Sequence, residues 1–384
     1  MSALRLSVLD QSPVPEGFTP ADALANSLDL AQHVDRLGYT RLWYSEHHAM
    51  QMLACTAPEI LIARAAGATK RIRVGSGGVM LPHYSAYKVA EVFRTLHAMF
   101  PGRIDLGIGR APGGGHVESY ALRRVRQGPQ PDDFPQQMAE LQAYFHPERF
   151  AAQTPDHPFR NLLVSPAMPG APDLWLLGSS MWSAVTAANE GLPYAFAHFF
   201  SAHGTRQAIE YYLRNFQAYS GPGAPLSSTA AGSPDPGRIS VPLTQPEATL
   251  AIGVICAPTQ EEAEYHHASV RLLQRRIRSG DRRPVATPED AMRELGATPQ
   301  APNSRLSFTI GSFDEPEEEW PRYVVGTPDR VAARLQSLAE ELHLNELIVN
   351  TVIHSHEARL RSYELLSDAM GLRKHISTAQ HAAA

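Results

Sequence analysis

Residues 71–83 read Arg-Ile-Arg-Val-Gly-Ser-Gly-Gly-Val-Met-Leu-Pro-His, and residues 100–115 read Phe-Pro-Gly-Arg-Ile-Asp-Leu-Gly-Ile-Gly-Arg-Ala-Pro-Gly-Gly-Gly. Between them lies a helical segment. Two short apolar runs flanking a helix, each run ending in glycines, describe a strand, a crossover helix and a second parallel strand. Gly75, Gly77 and Gly78 fall at the end of the first strand, where a missing side chain lets another backbone or a flat ligand approach closely. Gly107, Gly109 and Arg110 end the second strand. A small residue followed by a fixed cation suits an anionic ligand.

The same alternation continues on both sides of this unit. Upstream, Leu4–Leu9 reads as a strand, Ala21–Leu37 as a helix opened by Thr19-Pro20 and stopped by Gly38, Arg41–Tyr44 as a strand and Pro58–Thr69 as a helix. Within the central unit the elements are Ile72–Ser76, Ser85–Met99 and Ile104–Ile108. Downstream come a helix Phe134–Phe145, a strand Leu174–Leu177, a helix Ser179–Glu190 and a strand Tyr194–Ala197. A helix Thr205–Tyr219, a strand Thr249–Cys256 and a helix from Gln260 to about Ser279 follow. The last elements are a helix Thr327–Leu342, a strand Glu346–Asn350 and a helix His356–Met370. Repeated strand–helix pairs imply a parallel sheet, and about eight of them predict a closed (β/α)8 TIM barrel with insertions. An open doubly wound sheet is the rival, but no Gly-x-Gly-x-x-Gly follows the first strand. The expected organisation is one barrel domain over 1–373, with insertions near 111–172, 220–245 and 280–321 and a frayed tail at 374–384.

Composition narrows the function. The 384 residues are 43% hydrophobic and 19% charged, with a net charge of -5, which argues against a nucleic-acid surface. Cys55 and Cys256 are the two cysteines and suggest neither a disulfide framework nor a metal spacing. No apolar run approaches the roughly 20 residues needed to span a bilayer. The first residues lack a signal-peptide pattern, so a cytoplasmic location is expected.

In a barrel, chemistry sits at the carboxyl ends of the strands. The groups expected there are Asp10 and Ser12, Glu46-His47-His48, Gly77-Gly78-Val79-Met80, Gly109-Arg110, Gly178-Ser179-Ser180, His198 and Asn350-Thr351. Hydroxyls and one arginine suit a phosphate; glycines and a methionine suit a flat ring. A histidine titrates near neutrality and suits proton transfer. His47 and His48 are adjacent, so in an extended chain their side chains point to opposite faces, which suits joint metal ligation poorly; no metal site is expected.

The chain resembles the bacterial luciferase-like family of flavin-dependent monooxygenases, and in particular an uncharacterised bacterial branch of it. The resemblance covers nearly the whole chain. It is carried by Leu-Ser-Val-Leu-Asp-Gln-Ser-Pro (6–13), Trp-Tyr-Ser-Glu-His-His (43–48), the two glycine-rich stretches above, Trp-Leu-Leu-Gly-Ser-Ser (175–180) and Gly-Leu-Pro-Tyr-Ala-Phe-Ala-His-Phe-Phe (191–200). It implies a (β/α)8 barrel that uses reduced FMN and O2 to oxygenate a small, apolar organic substrate. The FMN would come from a separate NAD(P)H-dependent flavin reductase, and the protein would be a homodimer. His47 matches the histidine beside the flavin. Gly77-Gly78 matches a non-prolyl cis peptide under the ring, with Val79, Met80, Trp43 and Phe196 as apolar walls. Gly109 stands where luciferase has a cysteine, so the resemblance implies no thiol chemistry and no light emission. Arg110, with Gly178 and the cluster Ser179, Ser180 and Ser183, matches the phosphate contacts. Tyr120 stands where relatives often carry a second phosphate arginine, a role open to Arg123 or Arg124. Segment 280–321 is the candidate lid. Two rivals keep the barrel: a deazaflavin (F420)-dependent oxidoreductase without oxygen chemistry, and a non-catalytic flavin-binding protein.

Overall fold

The computed structural model describes residues 4–122, 124, 132–147, 156–218, 243–297 and 320–373. The first helix shows how local sequence sets the elements. Thr19 and Asp22 form a reciprocal capping box, Pro20 occupies the first turn, and Gly38 ends the helix at φ 90. The strands are β1 (Arg5–Asp10), β2 (Arg41–Tyr44), β3 (Arg73–Met80), β4 (Ile104–Gly109), β5 (Asp173–Gly178), β6 (Tyr194–Ala197), β7 (Ala248–Cys256), β8 (Tyr323–Gly326) and β9 (Glu346–Asn350). The helices are α1 (Pro20–Leu37), α2 (Pro58–Ala68), α3 (Ala86–Met99), α4 (His116–Leu122), α5 (Phe134–Phe145), α6 (Met181–Glu190), α7 (Thr205–Asn215), α8 (Gln260–Arg278), α9 (Pro288–Ala297), α10 (Pro328–Glu341) and α11 (His356–Met370).

All strand pairings in the sheet are parallel, and β1–β7 with β9 close into a barrel through β6–β7, β7–β9 and β9–β1. The predicted (β/α)8 barrel is therefore the observed fold. The sequence reading lacked β8. This short strand pairs with Gly253–Cys256, taking over one edge of β7 where β6, paired through Ala251, has stopped. It also lacked α4, α9 and the 3-10 turn Leu81–His83. Helix α9 lies inside the expected lid segment; 298–319 of that segment, the bulk of the 220–245 excursion and the 374–384 tail lie outside the described residues. Among the described residues no helix is long and apolar enough to cross a membrane.

Period-two alternation separates two apolar layers. Leu6, Val8, Leu42 and Tyr44 face the helices, whereas Leu9, Trp43, Trp175, Ala195, Ala251 and Ile348 fill the lumen. Trp43 and Trp175 meet edge to face at 5.2 Å. Beneath them, at the amino ends of the strands, lies a buried ionic layer. Arg41 reaches Glu346 at 2.7 Å and Asp105 at 3.1 Å, while its guanidinium lies 4.7 Å from the Trp175 ring. Arg73 reaches Asp105 at 2.5 Å and Asp173 at 2.7 Å, and Trp43 Nε1 donates to Asp105 at 2.9 Å. Burial works against the Asp105 charge, but the Arg73 and Arg41 guanidiniums hold its carboxyl below the ordinary range. Removing one partner of such a layer leaves a charge uncompensated in a dry interior. Glu346→Gln should therefore lower the unfolding free energy in urea by about 3–5 kcal/mol; a loss below about 1 kcal/mol, the range of an exposed pair, would contradict this reading.

Candidate active site

The strand ends opposite the ionic layer gather most of the expected site residues. Gly77 and Gly78, joined by a cis bond as the resemblance implies, lie near the end of β3. A Cβ at Gly77 would sit 2.7 Å from Leu9 Cδ1, and one at Gly78 would sit 2.8 Å from Gly107 O. These glycines thus admit protein atoms, and they let β3 and β4 approach closely. Gly109 differs: a Cβ there would meet only Met80 Sδ, at 3.7 Å. Met80 is partly exposed at this end, whereas Val79, Trp43 and Phe196 are buried core residues. Of the four expected apolar walls, Met80 is the one open to solvent.

The loop after β2 carries the histidines. The His47 amide donates to Cys55 O at 3.0 Å, and its Nδ1 lies 3.1 Å from Ser45 Oγ. Burial, opposed by the Glu46 charge and reinforced by His48, lowers the His47 imidazole to about 4, so it is neutral at physiological pH. His48 faces another way, with Nε2 2.7 Å from Glu46 Oε1 and its amide donating to Gly113 O at 2.8 Å. Glu46 also accepts from Tyr84 Oη at 2.6 Å and from the Met80 amide at 3.0 Å. His83 Nε2 lies 2.8 Å from Pro112 O. The ends of β2, β3 and β4 are thereby tied together.

Arg110 lies beyond β4. Its guanidinium is 4.8 Å from the centre of the Trp182 ring and pairs with Asp132 at 2.7 Å. Trp182 belongs to the first turn of α6, so the cation leans on the amino end of that helix, where free N–H groups and the positive dipole end favour an anion. Ser180 is the N-cap by position, is exposed, and makes no side-chain cap bond; Ser179 is partly exposed. Ser183 is placed otherwise than expected. It is buried, and its hydroxyl donates to Ser180 O at 2.7 Å and lies 3.1 Å from Tyr194 Oη. Gly178 makes that possible, since a Cβ there would overlap Ser183. Arg124 pairs with Asp133 at 2.6 Å, Tyr120 is exposed, and Arg123 lies outside the described residues.

The remaining strand-end candidates serve the scaffold. Asp10 pairs with Arg359 of α11 at 2.7 Å and accepts the Ser12 amide at 2.7 Å; Ser12 Oγ is bonded to Ser27. Asn350 donates to Leu9 O and Thr351 to Val254 O. His198 is fully buried between Thr205 Oγ1 and Pro321 O, and burial lowers it to about 4. The motif Glu46-His47-His48 gives Glu46 no role by itself, and no sequence pattern singles out Tyr84, Trp182 or Asp132.

The profile of the luciferase-like monooxygenase family matches residues 4–345. The chain belongs to the luciferase-like monooxygenase family. It is 40% identical over 364 residues to the uncharacterized protein YwcH of Bacillus subtilis, covering 95% of this chain and 98% of that protein. It is 35% identical over 368 residues to the N-acetyl-S-alkylcysteine monooxygenase of the same organism, covering 96% and 98%. Among solved structures, apo-MsnO8 superposes with a TM-score of 0.79 at 44% identity, covering 96% of this chain and 99% of that one.

Two imidazoles, that of half-buried His47 and that of buried His198, give a pH test. Their pKa values in the fold lie below the ordinary histidine value of about 6.5. The stability they contribute is therefore complete above that value and is lost as pH falls towards about 4, where His47 and His198 would take up protons. NMR titration should show both rings unprotonated at pH 5.5; a His47 midpoint near the ordinary value would contradict its placement.

Proposed function

We propose that this family member is the oxygenating component of a two-component monooxygenase that uses reduced FMN and O2. The observation that carries the reading is Arg110 lying against the first turn of α6, one residue beyond the open Gly109, in a barrel of this family. The residues fit a phosphate-tailed flat ring. Arg110, Ser179, Ser180 and the first N–H groups of α6 would hold the phosphate; the Gly77–Gly78 backbone, Met80 and Gly109 would hold the ring, with Val79 packed in the core behind them; Ser183 and Gly178 support that helix from behind. Asp132 now pairs with Arg110 on the surface. An exposed pair contributes about 0–1 kcal/mol, whereas charge-assisted contacts to a phosphate are roughly twice as strong as neutral hydrogen bonds, so Arg110 would exchange Asp132 for a phosphate.

Bound reduced flavin supplies the two electrons with which O2 is activated for transfer of one oxygen atom to a small, apolar organic molecule. The chain's own part is to bind, orient and exclude water. In the tautomer whose Nδ1–H donates to Ser45 Oγ, Nε2 of His47 carries the lone pair and is the nitrogen that can accept or return a proton during oxygen transfer. A neutral imidazole is the form able to accept one. No dinucleotide fingerprint follows β1, in keeping with reduction of the flavin by a separate NAD(P)H-dependent reductase. The homodimer implied by the resemblance would pair barrel helices of two copies.

Supplied with reduced FMN and 18O2, the protein should place one labelled oxygen in a substrate. Hydride transfer without oxygen uptake would favour a deazaflavin enzyme instead, and FMN binding with no oxygen consumption a carrier. Positioned acid–base groups contribute typically 10²–10⁴-fold, so His47→Ala should slow oxygenation by about a hundredfold or more while FMN affinity stays within about threefold. Unchanged turnover would remove His47 from the reaction.

A further inference from the structure

The residue at the centre of this site is one to which the functional reading assigns nothing. Glu46 is 1% exposed, yet its carboxylate lies between three strand ends. One oxygen accepts from Tyr84 Oη at 2.6 Å and lies 2.7 Å from His48 Nε2; the other accepts from the Met80 amide at 3.0 Å. Tyr84 follows the 3-10 turn after β3. His48 is bonded through its amide to Gly113, in the loop after β4, and its ring meets His83 edge to face at 5.9 Å. Glu46 is also the immediate neighbour of His47 in the chain.

We propose that Glu46 is the positioning residue of this site. It clamps the outer end of β3, through Met80, to the loop that carries His47, and so sets the spacing between the ring-holding segment and the proton-transfer histidine. This rests on the flavin reading for what the spacing serves, but the clamp is a property of the protein alone. A carboxylate suits the task because two oxygens with several lone pairs can satisfy donors arriving from different directions. Burial, together with the adjacent Glu46 oxygen, pushes the Tyr84 hydroxyl up, so it remains a donor throughout the working range. The clamp acts through hydrogen-bond geometry rather than through charge. A glutamine can reproduce it: its amide oxygen accepts from Met80, and its NH2 faces His48 Nε2 and donates to the Tyr84 oxygen. Alanine cannot, and aspartate keeps the charge but withdraws both oxygens by one methylene.

The experiment compares Glu46→Ala, Glu46→Asp and Glu46→Gln with wild type, using FMN affinity per folded molecule by fluorescence titration and hydrogen exchange at the Met80 amide without flavin. Alanine and aspartate should each weaken FMN binding by about tenfold and speed Met80 exchange by at least about tenfold, while glutamine stays within about threefold of wild type on both readouts. Turnover should follow the same order, with losses of about a hundredfold for the first two, the scale expected when a reacting group is displaced by an ångström. If glutamine fails like alanine while aspartate behaves like wild type, the charge matters and the clamp does not, which overturns the proposal. It is equally overturned if all three variants bind FMN and exchange within twofold of wild type, or if melting temperature falls while the folded fraction binds FMN normally. Should alanine fail to fold, the aspartate–glutamine contrast decides alone. If wild type itself does not bind FMN, the flavin reading falls, and Met80 exchange still decides whether Glu46 holds β3.

Discussion

The barrel depends on buried charge at its closed end. Arg41 and Arg73 are cations inside a protein interior, where an isolated charge is prohibitive, and they persist because Glu346, Asp105 and Asp173 come from three other strands to meet them. Arg5 and the partly buried Glu247 extend the layer. Ion pairs of this kind add little net stability over an apolar core, but a broken one is costly. That asymmetry makes them specifiers of register. A strand that slipped by one residue would turn its charge towards the helices and leave a partner unpaired. The amino ends of β2, β3, β4, β5 and β9 are fixed in this way, and rigid strands carry the registration through the Trp43–Trp175 layer to the mouth.

At the mouth the constraint changes character. β3 and β4 are drawn together by glycines whose missing side chains are replaced by neighbouring backbone, and Glu46 ties the β2, β3 and β4 loops through hydrogen bonds. On the next strand, Gly178 brings Ser183 and hence α6 against the end of β5, which brings Trp182 beneath Arg110. The corner proposed to hold the phosphate therefore follows β4 and β5, rather than the seventh and eighth strands that carry the usual phosphate site of this barrel class. Packing accounts for the placement: the helix can reach the guanidinium only because the strand end carries no side chain.

Much of this was legible in the residues, for identifiable reasons. Helix α1 announced itself by Thr19, Pro20 and Gly38, and β6, β9, α5 and α11 begin and end where the sequence pattern places them. β8 was not legible because Tyr-Val-Val-Gly stands between a stretch with little apolar periodicity and the helix opened by Thr327-Pro328, and is held by pairing with β7, a tertiary contact. Helix α9 has a local signal, Thr287 bonded to both the amide and carboxylate of Asp290, but its apolar spacing is sparse. At the site, strand ends and glycines pointed to one end of the barrel, where the structure gathers most of the residues named from the sequence. Ser183 read as a ligand because spacing cannot distinguish a hydroxyl facing the mouth from one turned to Tyr194. Trp182 stayed hidden and Glu46 stayed without a role because an aromatic in a helix and a glutamate beside histidines look ordinary until their partners, distant in the chain, are brought alongside.

The account stands on recognition of a phosphate by Arg110 and the amino end of α6. Its most direct test is to titrate the protein with FMN and with riboflavin, which carries the same ring without the phosphate. Hydrogen bonds to charged groups contribute about 1.5–3 kcal/mol each, so riboflavin should bind at least about tenfold more weakly than FMN, and Arg110→Met should remove most of that difference. Equal affinity for the two, or a preference untouched by the Arg110 substitution, would contradict it.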